Sequence, residues 1–191
     1  DGCTSILDLD YPKGKQLGNA IHEVFEKIDF TKAKMPLEDF QMDSEVNDLI
    51  DKTYAKYGLP LKRHPSWHNT TSKFVWHTLN AKLPVIEGSQ ASGDTFSRRD
   101  LSANEHFAEV EFFLEGDLIH ANHIPQTGEY FSKGFMDLIF VREINGTKRY
   151  AILDWKSDRM DNDDYAKPES LKDKVDCEYA VQRVLYAYCL I

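Results

Sequence analysis

Asp137, Asp154 and Lys156 are the residues whose types and spacing could do chemistry. They lie in two apolar stretches, GFMDLIF at 134–140 and YAILDWKS at 150–157. Side chains alternate faces along a strand, so Asp154 and Lys156, two apart, point the same way and bring a carboxylate and an ammonium into one pocket. The same period sets Phe135, Asp137 and Ile139 on one face and Met136, Leu138 and Phe140 on the other, which lets Asp137 meet Asp154 across the ladder. Two carboxylates that close repel unless a cation sits between them, so the pattern predicts a divalent-metal centre. An aspartate among Phe, Met, Leu, Ile and Phe is costly to bury unless it is paired or metal-bound, which sets Asp137 apart from an ordinary strand residue.

Positioning such a centre takes a sheet, and the spacing predicts one. Strands are expected over Phe131 to Val141 and Tyr150 to Ser157, joined at Asn145-Gly146, a strong hairpin signal that makes them antiparallel neighbours. A further strand, Glu105 to Leu114, alternates Phe107, Glu109, Glu111 and Phe113 with Ala108, Val110, Phe112 and Leu114. Glu109 is read there as part of an exposed strand face.

The N-terminal half reads as helical. Leu17, Ala20, Ile21, Val24, Phe25 and Ile28 form one stripe at helical spacing, giving a helix from about Lys15 to Ile28. A second stripe, Val46 to Tyr57, starts after a cap at Asp43 or Ser44 and stops at Gly58. A third helix follows Pro65, from about Trp67 to Leu83, and ends at Pro84. The polar stretch from Glu87 to Asp100 is expected to be a mobile surface loop. After the acidic loop from Asp158 to Leu171 a final helix runs to Ile191, carrying Val175, Tyr179, Gln182, Tyr186 and Cys189 on one face.

Length and composition bound the rest. With 191 residues, 41% hydrophobic and 12% aromatic, the chain can bury a core and is expected to form one globular domain over 1–191. Its helical part spans about 15–83, and its sheet and last helix about 105–191. The start at Asp1 without a methionine or leader suggests an excised part of a longer chain. No apolar run approaches the ~18 residues of a membrane span, so a membrane partner is not expected. Cys3, Cys177 and Cys189 form no C-x-x-C pair, and the last two would stand ~18 Å apart on one helix. That spacing argues against a disulfide, a zinc knuckle or an iron–sulfur cluster and favours a reducing, cytoplasmic setting.

A net charge of −9 weighs against phosphate binding, although Arg98, Arg99, Lys133, Arg142, Lys148, Arg149 and Arg159 flank the motif region. The cluster of Asp161, Asp163 and Asp164 lacks the spacing and terminal glutamate of a calcium loop and is read as solvated. His64, His68, His77, His120 and His123 have no partners at ligand spacing.

The two strand motifs together fit the pattern D-(x)n-(D/E)-x-K. Five blocks in order then resemble the RecB-type nuclease domain, the C-terminal domain of the beta chain of bacterial exodeoxyribonuclease V. They are LGNAIHEVFEKIDFT at 17–31, AEVEFFLE at 108–115, KGFMDLIF at 133–140, YAILDWKSD at 150–158 and YAVQRVLYAYCL at 179–190. The resemblance implies an α/β fold of the PD-(D/E)xK, restriction-endonuclease-like type, with a central mixed or antiparallel sheet flanked by helices and a helical N-terminal half. It implies Mg²⁺, or Mn²⁺, held by His22, Asp137, Asp154 and the main-chain carbonyl of Trp155, with Glu111 nearby, and Lys156 as a catalytic residue.

Gln182 and Tyr186, at i and i+4, would share a helix face and hold the substrate strand or a water. Taken as residues alone, His22 falls one position off its stripe, Lys156 fits a snorkelling strand-end lysine, and Gln182 and Tyr186 equally fit ordinary helix positions.

The activity implied is metal-dependent hydrolysis of DNA phosphodiesters, as the nuclease module of an ATP-dependent helicase–nuclease acting on double-strand ends in bacterial cytoplasm. Partners would be single-stranded DNA ends fed by a helicase, the helicase part of the parent chain, the other subunits of that complex, and a recombinase. No G-x-x-x-x-G-K-[ST] loop occurs, so no ATP site is expected within these residues. Two alternatives stay open: a catalytically silent docking module of the same fold, and a stand-alone exonuclease of phage type.

Overall fold

The computed structural model describes residues 11–84, 95–115, 131–144, 146–156 and 168–190. Asn145 of the predicted turn, Cys3, His120, His123, Ser157, Arg159 and the acidic run at 161–164 lie outside the described residues. The architecture is α/β, with a helical N-terminal half followed by a three-stranded antiparallel sheet and C-terminal helices. The chain divides into two compact units. One comprises 1–107 and 140–149, the other 108–139 and 150–191.

The first unit is built on helices α1 (Lys15–Lys27), α2 (Leu37–Met42), α3 (Ser44–Lys56) and α4 (Pro65–Asn80). The apolar stripe of α1 buries Ala20, Ile21, Val24 and Phe25, and α1 packs on α3, whose Val46, Ile50 and Tyr54 are buried in turn. Asp43 caps α3 as expected, its Oδ1 accepting the Glu45 and Val46 N–H groups at 3.0 Å. Gly58 takes the left-handed φ of 71° that closes the helix region. Tyr11, Tyr54 and Thr71 join their buried hydroxyls, with Tyr11 2.7 Å from Tyr54 and 2.8 Å from Thr71. A core that buries three hydroxyls together leaves none of them unsatisfied.

α2 and a 3-10 turn at Phe30–Lys34 were not anticipated. Both are short, so neither generates a periodic stripe long enough to detect. Pro36 followed by Glu38 and Asp39 in the first turn is the start signal that α2 did carry. At its other end α4 stops three residues before the predicted Leu83, because Asn80 turns its amide onto the carbonyls of Trp76 and Ala33.

The stretch predicted as a mobile surface loop is structured in its described part. Strands β1 (Leu83–Pro84) and β2 (Thr95–Phe96) pair antiparallel, and a 3-10 turn at Arg98–Asp100 follows under a capping box between Ser97 and Asp100. Ser97 and Arg98 are buried, and burial pulls the Arg98 guanidinium down to about 10. Arg98 is therefore no part of a basic surface. Arg142 is likewise committed, paired with Glu105 at 3.4 Å and lying over the Phe96 ring.

The sheet has the order β3 (His106–Glu115), β4 (Phe131–Ile144), β5 (Thr147–Leu153). Along β4 Met136, Leu138 and Phe140 are all buried, as strand parity predicts, and Asp137 on the opposite face is buried as well. β5 ends at Leu153, so Asp154 and Lys156 lie just beyond the strand rather than on it as predicted.

The second unit also holds the C-terminal helices. The single helix expected there is two, α5 (Pro168–Glu178) and α6 (Ala180–Cys189), parted at Tyr179 with φ −116° and ψ 9°. The ~18 Å separation expected for Cys177 and Cys189 on one straight helix loses its basis, although both thiols are free.

Candidate metal centre

The second unit holds both strand motifs up to Lys156 except Phe140, which ends the first of them. Asp137 on β4 is buried, and its Oδ2 accepts the backbone N–H of Trp155 at 2.6 Å. That bond links β4 to the Asp154-Trp155-Lys156 segment. A buried carboxylate accepting an N–H this closely is held in one orientation, and Trp155, itself buried, is held with it.

Asp154 and Lys156 form an ion pair, and the amide of Gln182 on α6 spans both of them. Its Nε2 donates to Asp154 Oδ1 at 2.9 Å, while its Oε1 accepts from Lys156 Nζ at 3.0 Å. Only one amide orientation satisfies a carboxylate and an ammonium at once. Tyr186, one turn further, is buried and places its hydroxyl 2.7 Å from the Phe135 carbonyl and 3.1 Å from Asp154 Oδ1. Burial pushes this phenol up to about 12, and the nearby charges of Asp154 and Asp137 add to the rise. Tyr186 is thus a neutral donor. The i, i+4 pair thus contacts Asp154 from both members, and Gln182 contacts Lys156 as well.

Two features of the centre escaped the sequence. The ring of Tyr179 lies under the Lys156 ammonium at 4.4 Å, at the point where α5 and α6 part. The second is Glu109. Strict alternation places Glu109 and Glu111 on one face, but Glu109 has φ 50°, a left-handed conformation within β3. Glu109 is half-buried and offers a carboxylate oxygen within 4.8 Å of one from Asp137. Glu111 is exposed and ion-paired with Lys133. Nothing in the residue types E-V-E foretells which glutamate turns inward. His22 stands on α1 of the first unit and is half-buried.

The donor set suits a hard divalent cation. Glu109 and Asp137 bring two carboxylates together, a repulsive arrangement that a cation relieves. Asp154 Oδ2 is buried and ion-paired with the Lys156 ammonium. Among the described residues no helix is long and apolar enough to cross a membrane.

No family model matches the chain. Among curated proteins it is similar to the RecBCD enzyme subunit RecB of Haemophilus influenzae, 26% identical over 197 residues, which covers 98% of this chain and 15% of the relative. It is also similar to the subunit of the same name from Borreliella burgdorferi, 26% identical over 161 residues, covering 81% of this chain and 13% of the relative. The chain spans about a seventh of the length of these relatives, and the similarity to the first extends along nearly all of it.

Proposed function

We propose that this chain is a divalent-metal-dependent DNA nuclease module of a RecB-like helicase–nuclease, working on DNA ends in bacterial cytoplasm. The observation that carries the reading is the hydrogen bond from Trp155 N–H to Asp137, which brings the aspartate of one motif to the D-x-K segment of the other. The similarity to RecB subunits supports the same assignment. A helicase portion of a longer chain, with the other subunits of such a complex, would deliver the DNA.

Glu109, Asp137 and Asp154 are the carboxylates proposed to hold Mg²⁺ or Mn²⁺. The sequence resemblance adds His22 and the Trp155 carbonyl. When bound, the ion would lower the pKa of a coordinated water and offset charge on the phosphoryl oxygens. Lys156 is the group proposed to neutralise charge as water adds to phosphorus and the bond to the departing nucleotide oxygen breaks. Gln182 and Tyr186 are positioning residues acting through Asp154 and Lys156. Glu111, paired to Lys133, is assigned no part in binding the ion.

The test is cleavage of linear single-stranded DNA with Mg²⁺. Asp154→Ala and Lys156→Ala are each expected to abolish it, and undiminished cleavage in both refutes the assignment. A folded wild-type chain with neither cleavage nor calorimetric Mn²⁺ binding would favour the docking-module alternative.

A further inference from the structure

The face of β4 that leads to Asp137 carries an unusual set of exposed side chains. Phe131, Lys133, Phe135 and Asp137 alternate on it, and of these the first three face solvent, with Phe131 66% and Phe135 47% exposed. On neighbouring β3, Phe113 is 65% exposed and Glu111 meets Lys133. The Lys133 ammonium lies 5.0 Å from the Phe113 ring centre and 5.7 Å from that of Phe135. Two phenyl rings therefore flank one cation, with Phe131 two residues further out on the same strand face, and that face ends in a carboxylate of the candidate metal centre.

Phenylalanine surface left in water forgoes the gain that burial would bring. A strand face with aromatic rings in alternate positions and a cation between them matches what single-stranded nucleic acid requires. Each base offers a flat π-surface to a ring, and the phosphates need positive charge along the track. Alternate residues of a strand are about 6.7 Å apart. From Phe131 to Asp137 is then about 20 Å, room for roughly three extended nucleotides between the outer ring and the metal centre. Lys133 is paired with Glu111, but an ammonium has three donors, so its remaining N–H groups can face a phosphate. With the chain at net −9, such a local cation matters more than overall charge.

We propose that Phe113, Phe131, Lys133 and Phe135 form a stacking track that binds the bases of single-stranded DNA and leads the strand to Asp137. The inference rests on the nuclease reading for its direction, though binding can be measured without cleavage.

The experiment uses the full chain with Ca²⁺ in place of Mg²⁺ and fluorescence anisotropy of labelled oligothymidylate, beside an abasic oligomer of equal length. Phe113→Ala and Phe131→Ala should each weaken oligothymidylate binding about tenfold, the loss expected from removing one base–aromatic stack. Binding of the abasic oligomer should be unchanged. Lys133→Ala should weaken both and make the slope of log affinity against log salt shallower by about 0.7. Glu111→Gln, which releases Lys133, should tighten both. The altered side chains, Glu111, Phe113, Phe131 and Lys133, are all exposed and Phe135 is left intact, so the melting temperature should stay near that of the wild type. Equal oligothymidylate affinity in both phenylalanine variants overturns the proposal. So does a wild-type chain that fails to bind single-stranded DNA, in which case the face is open to a protein partner instead. If the phenylalanine variants lose binding while Asp154→Ala still cleaves, the track stands and the metal-centre assignment falls.

Discussion

Gln182→Leu should impair the centre while sparing the fold, and its size can be worked from the hydrogen bonds that disappear. The substitution keeps side-chain bulk on α6 but removes the donor to Asp154 and to the Tyr186 hydroxyl and the acceptor for Lys156; Tyr186 keeps its bonds to Phe135 and Asp154, so the two contacts to charged groups set the size. Hydrogen bonds to charged groups contribute about 1.5–3 kcal/mol when buried. Here the Asp154 side chain is 19% exposed and that of Lys156 35%, so water replaces part of each bond. Taking about 1 kcal/mol for each, the loss is about 2 kcal/mol. If that free energy is what holds the two groups in their reactive arrangement, turnover falls about 30-fold. The assay is Mg²⁺-dependent release of nucleotides from linear single-stranded DNA, read as rate against Mg²⁺ concentration and pH. A purely structural role would lower the melting temperature and leave the metal midpoint alone. Disordering Asp154 should raise that midpoint. Gln182→Glu should be worse than Gln182→Leu near neutrality, because it sets a carboxylate against Asp154, and should recover partly as pH falls. A stable Gln182→Leu protein that cleaves within twofold of wild type, at an unchanged Mg²⁺ midpoint, refutes the reasoning.

Two further outcomes concern stability. Glu23 on α1 accepts from Lys27, Lys56 and Tyr57, and these contacts hold its carboxyl at about 2, below the ordinary 4.5. A depressed carboxyl stabilises the folded state above about pH 4.5, and the contribution disappears as pH falls toward about 2. Linkage bounds the effect at about 3 kcal/mol. The side chain has little exposed area, but what covers it is mainly the half-exposed lysines, so solvent screening brings the expected value to about 1 kcal/mol. Glu23→Gln should therefore lower stability in urea titrations by that amount at pH 7, with the difference closing below pH 4.5. Gly134→Ala would set a Cβ 2.6 Å from the Phe112 ring, which packs edge-on against Tyr186. Overpacking of this kind costs about 1–3 kcal/mol, and because the ring presses on Tyr186, cleavage should fall along with the melting temperature.

Much of this was legible in the sequence, for identifiable reasons. Helices α1 and α3 each bury a stripe long enough to show its period, α4 is announced by Pro65 at its start, and Asp43 and Gly58 mark boundaries by chemistry that has few alternatives. The burial of Met136, Leu138 and Phe140 follows from strand parity alone. What stayed hidden depends on events that residue types do not encode. Parity assumes an unbroken strand, so a left-handed φ at Glu109 exchanges the environments expected for Glu109 and Glu111. The end of β5 at Leu153 and the parting of α5 from α6 at Tyr179 coincide with tertiary contacts, Asp137 with Trp155 and Tyr179 with Lys156, that no local pattern reveals. Arg98 was counted as surface charge because it sits in a polar stretch, yet the turn that follows Ser97 buries it.

Glu109 also bears on how the chain can change. A glutamate held at φ 50° costs of order 1–3 kcal/mol relative to a residue at ease there, and glycine or asparagine would relieve most of it. Selection for heat resistance alone would therefore discard this carboxylate early, since its replacement is a gain for the fold. Variants obtained that way would be sturdier and, if Glu109 serves the metal, less active. On the proposed role of Glu109, stability and activity would be set in opposition at a single backbone angle, so a screen for thermostable forms should be scored for cleavage at every round.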